Sequence, residues 1–313
     1  MYFGLSEDQI FFQDNVKKFL EDNAPLDAVK KITEGADLST KDELHQGLIN
    51  LGINNILIPE ENGGLGLDLL FASAVSQSLG EGIATLPFVG PYVIAPIAIK
   101  YGASDSQKEK LFNEMSQNLI NCGVGFSEYF GSRDSSDLSI SNNKITGRTL
   151  FVLDVDFASH AMLCDKKGQI GMVSLESQGI EIINLTTVDK TRTYKEMIFK
   201  DTPIEILDKT KTSIEAAEMA LSAGRIIAAA DSLGASQAMI NKAVEYSKER
   251  KQFNRVIGSF QAVKHMCAEM TAELEPCYSL VWHAAHSFDN SHEDLKLMAC
   301  LAKSHTSEVS KMV

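Results

Sequence analysis

What the 313-residue chain lacks narrows its class before anything it contains. Its five cysteines, Cys122, Cys164, Cys267, Cys277 and Cys300, are odd in number and widely spaced, and no Cys-x-x-Cys occurs. That excludes a disulfide framework and suits a reducing cytoplasm. No apolar run approaches the roughly 20 residues of a membrane span. The candidate stretch YVIAPIAIKYG is short and contains Pro96. The opening MYFGLSEDQIFFQDNVKKFL has no basic leader and no long apolar core, so no secretory signal is expected. Positive charge is scarce: 29 Lys and Arg stand against 42 Asp and Glu, a net charge of −13. A general nucleic-acid binder shows the opposite balance. A polyanionic ligand would have to meet cations gathered locally.

The first third reads as helix. Ser6 is an expected N-cap with Gln9 as its capping-box partner, ahead of Ile10, Phe11, Val16, Phe19 and Leu20 at helical spacing. TKDELHQGLINLG reads as a helix capped by Thr40 and stopped by Gly52. INNILIPEENGGLGLD is glycine-rich but lacks the Gly-Lys-Ser/Thr ending of a P-loop, so a turn into the helix DLLFASAVSQSLGEG is expected. SDSQKEKLFNEMSQ reads as another helix. From about residue 121 the segments turn short, β-branched and alternating, with Asn142-Asn143 and Lys167-Gly168 as hairpin turns. From Ser213 the helical pattern returns, and Pro276 is expected to kink a long helix. The expected architecture is multidomain α+β. It has an N-terminal helical domain (1–120), a middle antiparallel β domain (121–207) and a C-terminal four-helix bundle (212–313), incomplete at residue 313.

One stretch concentrates cations. YSKERKQFNRVIGSFQAVKHMCAEM, residues 246–270, sets Lys248, Arg250, Lys251 and Arg255 around Phe253. It resembles the acyl-CoA dehydrogenase hairpin Tyr-x3-Arg-x-Gln-Phe-Gly with its following Phe-Gln. LGINNILIPEENGGLGLD, GFSEYFGSRD, ITGRTLFVLD and TVDKTRTYKEMIFKDTP resemble further segments of the same family, so the likeness covers essentially the whole chain. The resemblance implies FAD-dependent desaturation of an acyl-CoA thioester to a trans-2-enoyl-CoA. A carboxylate removes the α-proton, the β-hydride passes to FAD, and an electron-transfer flavoprotein takes the electrons. It also implies a homo- or hetero-oligomer, dimer or tetramer.

The same resemblance assigns residues. Phe126 and Ser127 fall where the first β-domain loop touches the flavin ring, and Phe151 replaces the usual tryptophan beside it. Leu153 replaces a hydroxyl residue that approaches the ring. Arg250, Gln252 and Phe253 match the residues that reach a neighbour's FAD. Arginine suits a pyrophosphate because its planar fork donates two hydrogen bonds at once. A solvated basic helix end is the plain alternative. Asn254 stands where the family has glycine, and Asn tolerates left-handed backbone angles. Arg225 and Arg192 match substrate-side positions, and either could equally be structural.

The carboxylate is missing from its two family positions. One is occupied by Gly224, which cannot abstract a proton. The other follows a Gln-x-His-Gly-Gly-x-Gly loop that does not occur in these 313 residues. Asp231, two helical turns after Gly224 on the same face, is a weak candidate, displaced by ~10 Å. No carboxylate or cysteine completes a recognisable zinc pattern with His283 and His286, so no metal is expected. His265 and Cys267, two apart on a helix, point to different faces. Three readings remain open: an FAD-dependent acyl-CoA dehydrogenase, a non-catalytic partner subunit sharing an FAD site, and a flavin-free helical scaffold.

Overall fold

The computed structural model describes residues 4–131, 137–290 and 293–313. The first third is helical as expected: α1 (Glu7–Asn23), α2 (Leu26–Thr33), α3 (Leu38–Asn50), α4 (Leu69–Glu81), α5 (Ala95–Gly102) and α6 (Asp105–Ser116). Ser6 and Gln9 form the capping box of α1, and Ser104 with Gln107 that of α6. α3 starts earlier than its sequence suggests. Asp37 is the cap, and its carboxylate accepts the Thr40 N–H at 3.1 Å, which puts Thr40 inside the first turn. A π-helical turn, Val89–Ile94, leads into α5, and Pro96 sits in that helix's first turn, where no N–H bond is lost.

The middle of the chain supplies β1 (Cys122–Gly125), β2 (Ser139–Ser141), β3 (Lys144–Leu153), β4 (His160–Cys164), β5 (Ile170–Ser174), β6 (Ile180–Asn184), β7 (Tyr194–Pro203) and β8 (Glu205–Ile206). The sheet runs β6-β7-β3-β1-β4-β5-β8, with β2 paired to β3. Asn142 and Asn143 turn the β2–β3 hairpin with φ of 51° and 56°, angles that asparagine tolerates. One expectation fails: the sheet is mixed, because β1 and β4 run parallel from Cys122↔His160 to Gly125↔Leu163. A parallel pair needs a long crossover, and the β2–β3 excursion provides it. The core of this sheet includes Ile140, Ile145, Val152, Leu163, Met197 and Phe199.

The last third holds α7 (Glu215–Glu249), a short ribbon of β9 (Lys251–Gln252) and β10 (Arg255–Val256), α8 (Gln261–Asp289) and α9 (Leu295–Met312). α8 runs through Pro276 as one helix, as the long-helix reading expects. Among the described residues no helix is long and apolar enough to cross a membrane. By contacts the chain forms two compact units. One comprises the segment up to Val29, Leu69–Ala84 and Arg225–Val313; the other comprises Lys30–Asp68 and Thr85–Gly224.

In the first unit the backbones of α4 and α7 touch. A Cβ added to Gly80 would lie 2.0 Å from the Asp231 carbonyl oxygen, and one on Gly234 would lie 1.9 Å from that of Gln77. Ser76 Oγ donates to the Ile227 carbonyl at 2.9 Å. Asp289, at the end of α8, caps α4 by accepting the N–H groups of Leu69 and Leu70 at 2.8 and 3.1 Å. The contact has no room for a methyl group. Gly80→Ala is therefore expected to destabilise the protein by about 1–3 kcal/mol or more, read as a lower urea midpoint with an unchanged m-value.

Candidate functional site

The end of β1 and the end of β3 meet through their register. Val124 pairs with Leu153, so the next positions outward, 126 and 151, face each other. The Ser127 hydroxyl donates to the Leu150 carbonyl at 2.5 Å and lies 3.4 Å from Thr149 Oγ1. Phe126 and Ser127 are both buried. In the structure the Ser127 hydroxyl also lies 3.4 Å from Glu128 Oε1. Here β3 carries one extra residue: its ladder with β7 jumps from Thr149↔Met197 to Val152↔Lys195. The bulge turns Phe151 outward with φ of 55° and leaves it 45% exposed, edge-on to Tyr194 at 6.3 Å. Phe126, Ser127 and Phe151 thus converge on one end of the sheet. Ser132, Arg133 and Asp134 of the GFSEYFGSRD motif lie outside the described residues.

Three residues past the bulge, Asp154 sits buried with φ of 60°. A Cβ on Gly90, in the π-helical turn, would come within 3.2 Å of its Oδ2. Burial pushes the Asp154 carboxyl up to about 6, against the opposing pull of Arg192 and Lys41. Arg192 itself donates to the Leu86 carbonyl at 2.7 Å, tying the segment before the π-helical turn to the segment before β7. Around this acid stand Lys41, whose ammonium lies 4.6 Å from the Phe157 ring centre, and His45, hydrogen-bonded to the Tyr92 hydroxyl at 2.8 Å. Burial lowers the pKa of both Lys41 and His45 and raises that of Tyr92. Sequence reasoning missed this cluster. Its one signal was an acid at 154, where the strand it resembles carries asparagine.

The remaining candidates belong to the other unit. Arg225 is half-buried on α7 and makes no ion pair among the described residues. Asp231 is also half-buried, and its own carbonyl forms the contact with Gly80. Gly224, one residue before that unit begins, faces Ile94: a Cβ there would lie 2.9 Å from Ile94 Cδ1. A longer side chain at 224 would require Ile94 to move.

Arg250, Gln252 and Phe253 lie together on the β9–β10 ribbon. Gln252 pairs with Arg255 and Lys251 with Val256, and the Ile257 N–H donates to the Arg250 carbonyl at 2.8 Å. The two-residue turn is Phe253-Asn254, with φ of 51° and 63°, the type I′ pattern. Asn254 fits it; a phenylalanine there is strained by about 1–2 kcal/mol. Phe253 is nonetheless 88% exposed. It stands edge-on to Phe260 at 6.2 Å, and Phe260 in turn carries the Arg255 guanidinium at 3.9 Å. An exposed aromatic among cations, held in a strained turn, suits a planar anionic ligand or a partner surface.

The sequence pattern of the acyl-CoA dehydrogenase N-terminal domain matches residues 6–118, and that of the C-terminal domain matches residues 214–313. The chain belongs to the acyl-CoA dehydrogenase family. The CarC subunit of the caffeyl-CoA reductase-Etf complex of Acetobacterium woodii is 24% identical over 99% of this chain and 86% of its own length. The short-chain specific acyl-CoA dehydrogenase of Megasphaera elsdenii is 27% identical, over 87% of this chain and 77% of its own. The structure of butyryl-CoA dehydrogenase from Megasphaera elsdenii shares the fold, with a TM-score of 0.85 and 22% identity over 99% of this chain and 86% of that one. The β1–β3 end and the Arg250–Phe253 ribbon differ in what they present to solvent. One offers an exposed ring face and the other charged donors.

Asp154 makes stability depend on pH. Its carboxyl titrates near 3.8 in the unfolded chain and at about 6 in the fold. The native state therefore keeps a proton that the unfolded state has lost, and stability falls as pH rises through that window. The full loss is about 3 kcal/mol above it. Asp154→Asn is expected to raise the unfolding free energy by up to about 3 kcal/mol at pH 8 and by less than about 1 kcal/mol at pH 4. Urea titrations at the two pH values measure the difference.

Proposed function

We propose that this chain is an FAD-dependent subunit acting at the α,β carbons of an acyl-CoA thioester, with electrons passed to an electron-transfer flavoprotein. The observation that carries the reading is the β9–β10 ribbon: Arg250, Gln252 and Phe253 displayed together on a strained turn with the aromatic exposed. The Arg250 fork suits the two phosphates of FAD, Gln252 adds donors, and Phe253 gives an apolar contact. Phe151 would lie against the ring and the backbone at Phe126–Ser127 along its edge. The bound flavin would supply the hydride chemistry, and the protein would orient the thioester and exclude water. Arg225 and Arg192 are the substrate-side cations of this reading.

The Acetobacterium relative is named as a subunit of a reductase-Etf complex, which supports an electron-transfer flavoprotein as partner. A reducing cytoplasm fits the five cysteines, none of which is in a disulfide. The three-segment division at 1–120, 121–207 and 212–313 and an oligomer that shares the flavin site belong to the same reading. A second reading is favoured by Gly224 packed against Ile94: a non-catalytic subunit that contributes half of a shared FAD site to an active partner. Asp231 is a poor substitute as base, since its backbone is fixed at the α4 crossing.

The purified protein is expected to show the oxidised flavin band near 450 nm, and its absence would leave a flavin-free scaffold. Arg250→Ala is expected to lower the flavin-to-protein ratio at least about tenfold, through loss of a charge-assisted contact. Anaerobic titration with acyl-CoAs, alone and with a co-expressed homologous subunit, separates the two readings. Bleaching by the chain alone supports the catalytic one, and bleaching only in the mixed complex supports the partner subunit.

A further inference from the structure

Among the described residues, three apolar side chains sit on left-handed backbone: Ile83, Phe151 and Phe253. All three are also among the exposed large hydrophobic residues. Two of them lie at the places proposed for the flavin. Ile83 does not, and its strain calls for its own explanation.

Ile83 ends α4 in a Schellman motif. The Ala84 N–H reaches back to the Leu79 carbonyl at 2.9 Å and the Ile83 N–H to that of Gly80 at 3.1 Å. The position between those bonds requires a left-handed residue, and glycine or asparagine occupies it at little cost. A β-branched side chain there, at φ of 52°, is a true outlier. Burial does not repay the strain, because Ile83 stays 39% exposed. Its side chain instead forms one lip of a groove of about 360 Å³ within the first unit. Leu20, Ala24, Leu26 and Ala238 complete the apolar lining, and Leu26 is itself exposed.

The rim selects the occupant. Lys17 is held by Glu81 at 2.7 Å and is not available to a ligand. Glu21, Lys242 and Glu245 also line the groove without a close ion pair among the described residues; Glu21 also feels the Lys17 charge, and with Lys17 already held by Glu81 two acids against one base leave this rim negative. α1, which forms one wall, carries Glu7, Asp8, Asp14, Glu21 and Asp22 against Lys17 and Lys18. We infer that this groove is a docking site for a basic amphipathic segment of a partner protein, an apolar side chain seated against Ile83 and flanking Lys or Arg residues meeting Glu21 and Glu245. Helix-in-groove recognition has this pattern, with apolar anchors giving affinity and rim charges giving orientation and on-rate.

The test uses Ile83→Asn and a pair of labelled synthetic helices, one of leucine and lysine, the other of leucine and glutamate. The variant is expected to keep the wild-type melting temperature or exceed it by a few degrees. The lysine helix is expected to bind the wild-type protein at least about tenfold tighter than the glutamate helix in fluorescence anisotropy. Ile83→Asn, and Glu21→Lys with Glu245→Lys, are each expected to weaken it at least about fivefold. A fall in melting temperature of more than about 4 °C on Ile83→Asn would overturn the inference, since the side chain would then serve the fold. Unchanged affinity of the lysine helix for Ile83→Asn would overturn it too, as would equal binding of the two helices. Wild-type self-association that Ile83→Asn abolishes in sedimentation would assign the groove to a second copy and likewise overturn it.

Discussion

The hydrogen bond from the Ser127 hydroxyl to the Leu150 carbonyl is the constraint on which the sheet's working end depends. A buried hydroxyl without a partner would cost several kcal/mol, so this one fixes where β1 stops against β3. With Leu150 so engaged, the extra residue in β3 has to be absorbed at once, and Phe151 takes it up by turning outward. The strand recovers at Val152, which is fully buried, and bends again at Asp154. One inserted residue thus has two effects. It presents an aromatic face to the outside, and it delivers an acid to the interior beside Gly90.

Among the described residues other than glycine, left-handed backbone falls into two kinds. Asn118, Asn142, Asn143, Asn254, Asp154 and Asp201 adopt it with the residue types that tolerate it best. Ile83, Phe151 and Phe253 adopt it against their preference, with side chains that remain open to solvent. Folding alone would not select bulky apolar residues at such positions. Their placement picks out the three exposed apolar residues for which ligands or partners are proposed above. It does so without reference to pocket size: the groove at Ile83 is smaller than the cleft lined by Lys110, His160 and Met172, where no residue is strained in this way.

Much of this was legible in the sequence. Ser6 with Gln9, and the asparagine pair at 142–143, announce their structures through local chemistry, because a cap or a tight turn involves only neighbours. The cation cluster around Phe253 was equally visible, since four cations in eight residues stand out in so acidic a chain. The thwarted expectations share a different cause. Thr40 and Asp37 are both residue types that cap helices, and only the fold decides which of them starts this one. The parallel pairing of β1 with β4 depends on two segments far apart in the chain, and alternation within each is the same for either direction. The Asp154 cluster joins Lys41 and His45 of α3 with Tyr92 and Arg192 from two other segments, so no spacing could reveal it. At Gly224 the sequence showed the missing carboxylate but not that Ile94 fills the space.

The parallel pairing of β1 also sets an order of events during synthesis. β1 is wholly buried in the finished sheet. Its parallel partner begins at His160, about 35 residues after Gly125, so it leaves the ribosome later by several seconds at roughly 5–20 residues per second. During that interval the β2–β3 hairpin can close on its own asparagine turn, a microsecond event, and offer β1 an antiparallel neighbour at Leu153. The central strand of the sheet is therefore protected on one side before its other side has been made.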